Sequence, residues 1–233
     1  MDNTKILEML NNGQIEELKG KISDEIFQEE LKKSGGTDAK KRYSAMKRYF
    51  KYVGGFDDRL LYPYKNLPVE IRGEKKEMNC FLDGHSFVLT PENIGNMEDF
   101  SSVADGKEYF NVQSMLDVPF DYEEVDLNKV LSAAKAKGYK YKGSELDSDK
   151  FTYAWNYRDA YFKVGILDQA YAIVNDGQKS KIYYTSGVSP LYIETSIGLA
   201  CILPMHWDTG VGKIVIETEG QSDELCFFGK EME

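Results

Sequence analysis

Residues 161–205 read YFKVGILDQAYAIVNDGQKSKIYYTSGVSPLYIETSIGLACILPM, and the order of elements in this stretch decides the fold. Leu167, Ala170, Tyr171 and Val174 recur at helical spacing, and Asp176-Gly177 stops the pattern. Three short strand-like runs follow, KIYYT, PLYIET and LACILPM, with turn residues between them. A helix followed by closely spaced strands argues for α+β with an antiparallel sheet rather than a doubly wound parallel one. The helix residues are expected to bury against Ile182, Leu191, Ile193, Cys201 and Leu203.

Working outward, FTYAWNY and AYFKV read as two more strands just upstream. Before them, Asp126 is placed to cap a helix with the apolar stripe Leu127, Val130, Leu131 and Ala134, which Gly138 ends. Lys129, Lys135 and Lys137 on and after that helix, with Lys140 and Lys142, form a basic cluster. Residues 91–125 are mixed and loop-rich, and RLLYPY, KEMNCFLDG and HSFVLT before them read as strands, the last two joined at Asp83-Gly84. The segment AKKRYSAMKRYFKYV (39–53) reads as a helix with Ala39, Tyr43, Met46, Phe50 and Val53 on one stripe. Lys40, Lys41, Lys47, Arg48 and Lys51 cluster away from that stripe, Arg42 lies on the far flank, and the segment has six bases and no acid. Residues 1–38 read as two acidic helices, an appendage joined at Ser34-Gly35-Gly36-Thr37. The tail 206–233 adds KIVIET and ELCFF as a β extension, so the expected division is 1–38, 39–205 and 206–233. No fixed-period repeat is visible in the identities.

Across 233 residues, 42% are hydrophobic and 29% charged, enough length and apolar surface for a packed core. That composition excludes wholesale disorder, collagen-like repetition and disulfide-dense scaffolds. Lys and Arg number 29 against 39 Asp and Glu, a net charge of -10. A surface uniformly that acidic repels DNA and anionic membranes, so nucleic-acid contact requires a segregated basic face. Residues 39–53 offer one, the alternative reading of the same bases being an ordinary solvated helix face. Cys80, Cys201 and Cys226 have no CxxC spacing and read as buried thiols in a reducing compartment. The N-terminus lacks signal-peptide features, and no apolar run approaches the roughly 20 residues of a membrane span. The expectation is a soluble, intracellular protein with no membrane partner.

Residue types that carry catalysis are not arranged for it. His85 and His206 sit in no ligand spacing, and Gly84-His85-Ser86 departs from a nucleophile elbow because Phe87 and Val88 follow. Asp208-Thr209-Gly210-Val211-Gly212-Lys213 ends like a phosphate loop, but Trp207 stands where the first Gly belongs and Ile214 follows Lys213; a hairpin turn is the stronger reading. Asp147 and Asp149 lack the Gly and closing Glu of a calcium loop. No cofactor or metal is implied, and the chain reads as a binding module rather than an enzyme.

The stretch 161–205 resembles the closing segment of a bacterial DNA sliding clamp. Val164-Gly165-Ile166-Leu167-Asp168-Gln169-Ala170 is similar to that family's helix, Pro190-Leu191-Tyr192-Ile193 to its penultimate strand, and Ala200-Cys201-Ile202-Leu203-Pro204-Met205 to its end. Leu82-Asp83-Gly84-His85-Ser86-Phe87-Val88 resembles a turn found in clamp domains. Taken together, the chain looks similar to short clamp-like proteins of phages and prophages of Gram-positive bacteria. The resemblance implies the cytoplasm of a bacterial host cell and a role accessory to DNA replication. Clamps carry three such domains per chain and close as dimers; this chain has room for one, so ring closure and processivity do not carry over with the fold.

In clamp rings the helices line the hole, and their Lys and Arg meet phosphates without reading bases. The resemblance therefore assigns non-specific contact with double-stranded DNA to Lys40, Lys41, Lys47, Arg48, Lys51, Lys135 and Lys137. It assigns partner binding, by replication proteins, to Leu203, Pro204 and Met205, and it admits a homo-oligomer. The helix bearing Leu167, Ala170, Tyr171 and Val174 carries Asp168 and no base, a gap in such a lining. Gln221, Leu225, Phe227 and Phe228 resemble a clamp-binding peptide with one residue too many, although ELCFF reads better as a strand. The alternative function is a protein-interaction or host-takeover factor that keeps the clamp-like scaffold without binding DNA.

Overall fold

The computed structural model describes residues 3–15, 18, 21–22, 25–26, 29, 37–51, 63–92, 97–101, 110–140, 151–205, 214–216 and 225–229. Four α-helices are described: α1 (Asn3–Asn11), α2 (Thr37–Lys51), α3 (Leu127–Ala136) and α4 (Val164–Val174). The strands are β1 (Tyr64–Ile71), β2 (Glu74–Leu82), β3 (Ser86–Thr90), β4 (Glu98–Asp99), β5 (Glu123–Val125), β6 (Phe151–Tyr157), β7 (Ala160–Lys163), β8 (Ser180–Tyr183), β9 (Leu191–Glu194), β10 (Leu199–Ile202), β11 (Ile214–Ile216) and β12 (Leu225–Gly229). The chain is α+β, as its sequence implies.

The strands form two sheets where one was expected. The larger has eight strands in the order β4-β1-β2-β3-β10-β9-β8-β5, and the smaller runs β11-β12-β6-β7. Every described pairing is antiparallel except the short one between β1 and β4. The larger sheet has a repeating plan. The order α2-β1-β2-β3 recurs as α4-β8-β9-β10, and the two sets meet where β3 pairs with β10. A repeat absent from the residue identities is thus present in the topology.

Alternation along these strands separates two cores. Phe81, Val88, Ile182, Leu191, Ile193, Ala200 and Ile202 join Leu167, Ala170, Tyr171 and Val174 in the layer that holds the helices. Cys80, Leu82, Phe87, Leu89, Tyr183, Tyr192, Leu199 and Cys201 point the other way, with β1 residues Leu67, Val69 and Ile71. Cys201 therefore does not meet α4 as expected, because successive strand residues face opposite sides; Ile202 takes that place, and Leu203 is half-buried beyond the strand. Arg72, at the tip of the β1–β2 hairpin, reaches Glu194 of β9 at 2.6 Å and stacks 4.7 Å over the Tyr183 ring of β8. The large sheet is thus curled onto its own second half. That tip turns through Arg72 and Gly73, both at positive φ, as a two-residue hairpin requires.

Helix α4 packs on α2, β3 and β10 and also on β6 and β7 of the smaller sheet. Contact with both sheets accounts for a sequence apolar nearly all round, with Asp168 on its part-exposed strip. Trp155, Phe162 and Val164 of the smaller sheet and its edge are fully buried in the same core.

Some sequence expectations shift. Of the strand expected at RLLYPY (59–64), residues 59–62 lie outside the described set and Tyr64 is the first residue of β1. Helix α2 starts at Thr37 and ends at Lys51, so Val53 falls outside the described residues, as do the turn at 208–213, Asp147 and Asp149, His206, Gln221 and most of the 34–37 junction. The strand readings of KIVIET and ELCFF correspond to β11 and β12, and β12 pairs with β6. Among the described residues no helix is long and apolar enough to cross a membrane.

Candidate nucleic-acid interface

Helix α2 buries Tyr43, Ala45, Met46 and Tyr49. At about 100° per residue these occupy one broad arc, and Tyr49, absent from the expected stripe, lies within it. A tyrosine is tolerated there because its hydroxyl meets Ser86 Oγ at 3.1 Å, and Ser86 Oγ in turn donates to Asp83 Oδ1 at 3.0 Å. Arg42 falls inside the same arc and is half-buried rather than presented from a far flank. Its guanidinium is satisfied by Glu92 through Nε at 3.2 Å and Nη2 at 3.1 Å. A bidentate pair of this kind holds Arg42 as part of the structure.

The opposite arc carries the remaining bases. Lys40 and Lys41 are exposed, whereas Lys47 and Arg48 are half-buried. Lys47 Nζ sits 4.8 Å from the Tyr43 ring centroid, so its stem lies along the helix with its charge outward. The backbone of Lys51 ends α2, and its side chain lies outside the described residues. Helix α3 starts at the Asp126 cap, whose side chain accepts the Lys129 amide at 3.3 Å. Lys129, Lys135 and Lys137 are all exposed, and Lys135 Nζ lies 3.8 Å from Asp168 Oδ1 of α4.

The structure brings the two basic helices to one groove. A concavity of about 310 Å³ is lined by Lys41 and Arg42 of α2, Asn128, Leu131, Ser132 and Lys135 of α3, and Asp168, Tyr171 and Ala172 of α4. Asn128 accepts from the Asn175 amide at 2.9 Å and donates to the Tyr171 hydroxyl at 3.3 Å, which fixes the groove floor. Burial raises the pKa of Tyr171 more than the hydrogen bond from Asn128 lowers it, so the hydroxyl is neutral at ordinary pH. Tyr139 donates to Asp168 Oδ2 at 3.4 Å, giving that carboxylate two partners. Sequence reading identified Asp168 as a lone acid but missed Tyr139, Asn128 and the Arg42–Glu92 pair, because each joins residues far apart in the chain. A groove flanked by cations in this way can hold a polyanion.

The residues expected to bind partners lie elsewhere. Leu203, Pro204 and Met205 are half-buried; the Leu203 amide donates to the His85 carbonyl at 2.9 Å and the Met205 amide to Tyr161 at 2.8 Å. They follow β10 and do not reach the helical groove as lining residues. Larger concavities flank the β1–β2 hairpin. One of about 820 Å³ has Glu70, Lys75, Lys76 and Glu77 along its walls, and one of about 620 Å³ has Met78, Phe120 and Leu199. Among the described residues, no three His, Cys, Asp or Glu converge to hold a metal ion.

No family model and no curated protein matches the chain. Among solved structures, the chain is similar to one described as a DNA polymerase III beta subunit from Eubacterium rectale, with 13% identity, 72% of this chain and 64% of that chain covered, and a TM-score of 0.45. It is likewise similar to the beta sliding clamp of C. crescentus, with 11% identity, 70% and 64% coverage and a TM-score of 0.44. The chain thus spans less than two thirds of the length of the structures it matches.

Proposed function

We propose that this chain is a non-enzymatic, clamp-like module of phage or prophage type whose helical face binds the backbone of double-stranded DNA as an accessory to replication. One observation carries the reading. In a chain of net charge -10, the base-bearing helices α2 and α3 border a single groove and bring Lys41 and Lys135 to it. Lys40, Lys47, Arg48, Lys51 and Lys137 extend the contact surface, and Leu203, Pro204 and Met205 serve replication-protein partners. The division into an appendage (1–38), a clamp-like domain (39–205) and a β extension (206–233) belongs to the same proposal, as do a homo-oligomer around the duplex and residence in the host cytoplasm.

Backbone contact predicts affinity that is independent of sequence and falls steeply with salt, because each neutralised phosphate releases counterions. An anisotropy titration at about 50 mM salt, where such binding is strongest, tests it. Lys47→Glu with Arg48→Glu should abolish binding and leave the circular dichroism spectrum intact, since both side chains lie off the buried arc. Absence of binding by a folded wild-type protein sinks the DNA role.

A second reading, an interaction or host-takeover factor on the same scaffold, rests on another observation. Leu7, Leu10, Ile15, Ile22 and Ile26 in the acidic N-terminal region expose large apolar side chains to solvent. Exposed large apolar side chains, where they gather into a patch, mark protein contact. That reading gains if DNA fails to bind and substitution of Leu7 and Leu10 by Ser changes the hydrodynamic size of complexes formed with host proteins.

A further inference from the structure

The helical groove has a cationic rim and one carboxylate in its wall. Asp168 is the single charged residue of α4, and its side chain is 15% exposed against 55% for Lys135, so it sits deeper than the base it pairs with. One oxygen faces Lys135 Nζ at 3.8 Å and the other accepts from Tyr139 at 3.4 Å. Lys41 and Ser132 line the same groove. An ammonium and a phenol, one on each oxygen of the carboxylate, are donors that a phosphate oxygen pair also takes.

On the reading that this face binds DNA, we propose that Asp168 occupies the seat of a backbone phosphate. It is an internal anion that holds Lys135 and Tyr139 in place and competes with the duplex for them. A phosphate enters only by drawing Lys135 away from the carboxylate, so the intact protein uses one phosphate contact fewer than its bases permit. Lys135 is the exposed half of the pair, and its 3.8 Å separation from the carboxylate makes the competition modest and reversible.

Asp168→Asn keeps the shape and an acceptor for Tyr139 while removing the competing charge. Measured by anisotropy on a duplex of arbitrary sequence, it should tighten binding by about two- to fivefold at low salt, the range spanned by an exposed ion pair. The decisive readout is the slope of log affinity against log salt, which should steepen by about 0.9 for one added phosphate. Lys135→Gln introduced beside Asp168→Asn should cancel both changes, and Asp168→Glu should restore wild-type behaviour. Asp168→Ala, a second route to the same opening, guards against an effect peculiar to the amide, and thermal melts confirm folding.

A tighter complex with an unchanged slope, or a gain that survives Lys135→Gln, would mean that Asp168 acts only through long-range repulsion, and the seat is wrong. Unchanged affinity in Asp168→Asn while wild type binds overturns the inference and leaves the DNA role standing. No binding by either protein sinks the DNA role and the inference with it.

Discussion

Asp83 is 7% exposed, and its Oδ1 accepts the His85 amide at 3.0 Å, the Ser86 amide at 2.8 Å and the Ser86 hydroxyl at 3.0 Å. Burial nonetheless pushes its pKa above the usual carboxylate range, against the pull of those hydrogen bonds. A carboxyl raised in the folded state binds its proton more tightly there than in the unfolded chain. Its contribution to stability is therefore fully present below the ordinary carboxylate range, near 4, and is lost as pH rises through the folded value. Asp83→Asn preserves an acceptor and removes the charge. Its urea midpoint should rise relative to wild type as pH climbs above the ordinary carboxylate range, because the wild-type carboxyl must then ionise while buried; a difference constant with pH would show that the carboxyl is not perturbed. Glu194 contrasts with it. Burial raises its pKa, but Tyr183 and Arg72 more than offset this, and the net shift is downward. The stability that Glu194 contributes is lost on acidification. In the core, Leu167 is fully buried on α4, and Leu167→Ala should cost about 2–5 kcal/mol in a denaturant melt; a loss under about 1 kcal/mol would place the helix at the periphery.

Helix α3 is held at both ends by groups the sequence announces. Asp126 caps its start, and at its end the Gly138 amide bonds Lys135 O while the Tyr139 amide bonds Ala134 O. These are the two bonds of a Schellman turn, and Gly138 supplies the φ of +100 that the turn needs. A Cβ there would lie 3.3 Å from the Tyr153 hydroxyl. Gly138→Ala should thus cost about 1–2 kcal/mol, and Asp126→Ala about 0.5–2 kcal/mol. Thermal melts of the two variants measure both; a neutral Gly138→Ala would show that the backbone relaxes around it. Elements with such local punctuation were legible: α3, the β6–β7 hairpin and the run from α4 to β10. Most of strand β1 went unread because Asn66 at φ 59 and Pro68 sit inside it, residues that mark strand ends or irregularities. The facing of Cys201 was misread because all four residues of β10 are buried, so period-two alternation is erased. For the site, the bases on α2 and α3 were legible as a charge segregation. Their meeting at one groove was not, since Lys41, Lys135 and Asp168 converge only through packing of three helices.

At the scale of the molecule, the eight-stranded sheet ends on β4 and β5, short acidic strands carrying Glu98 and Asp99 at one edge and Glu123 and Glu124 at the other. Glu123 is occupied by Tyr157 at 2.7 Å and by Arg158, which ties the β6–β7 turn to the larger sheet. Short, like-charged edges oppose edge-to-edge pairing of copies. Self-association should therefore strengthen as salt screens those edges, while DNA binding weakens with salt; sedimentation and anisotropy across one salt series would expose this opposition, and parallel trends would refute it. The seam between the two halves of the sheet has a further consequence, in time rather than in space. Within the sets β1-β2-β3 and β8-β9-β10, strands adjacent in sequence pair with each other, whereas β3 and β10 join across the chain: Thr90 reaches the Ile197 carbonyl over 107 residues. Gly198 lies so close to this seam that a Cβ would stand 2.2 Å from the Leu89 carbonyl oxygen. Local pairings form early and distant ones late, because chain closure is entropically costly. Refolding should therefore pass through two preformed halves awaiting docking, and Gly198→Ala should slow that last step in stopped-flow traces. At high protein concentration the waiting β3 of one copy can accept β10 of another, so a slow phase that lengthens with concentration is the kinetic trace of exchanged halves.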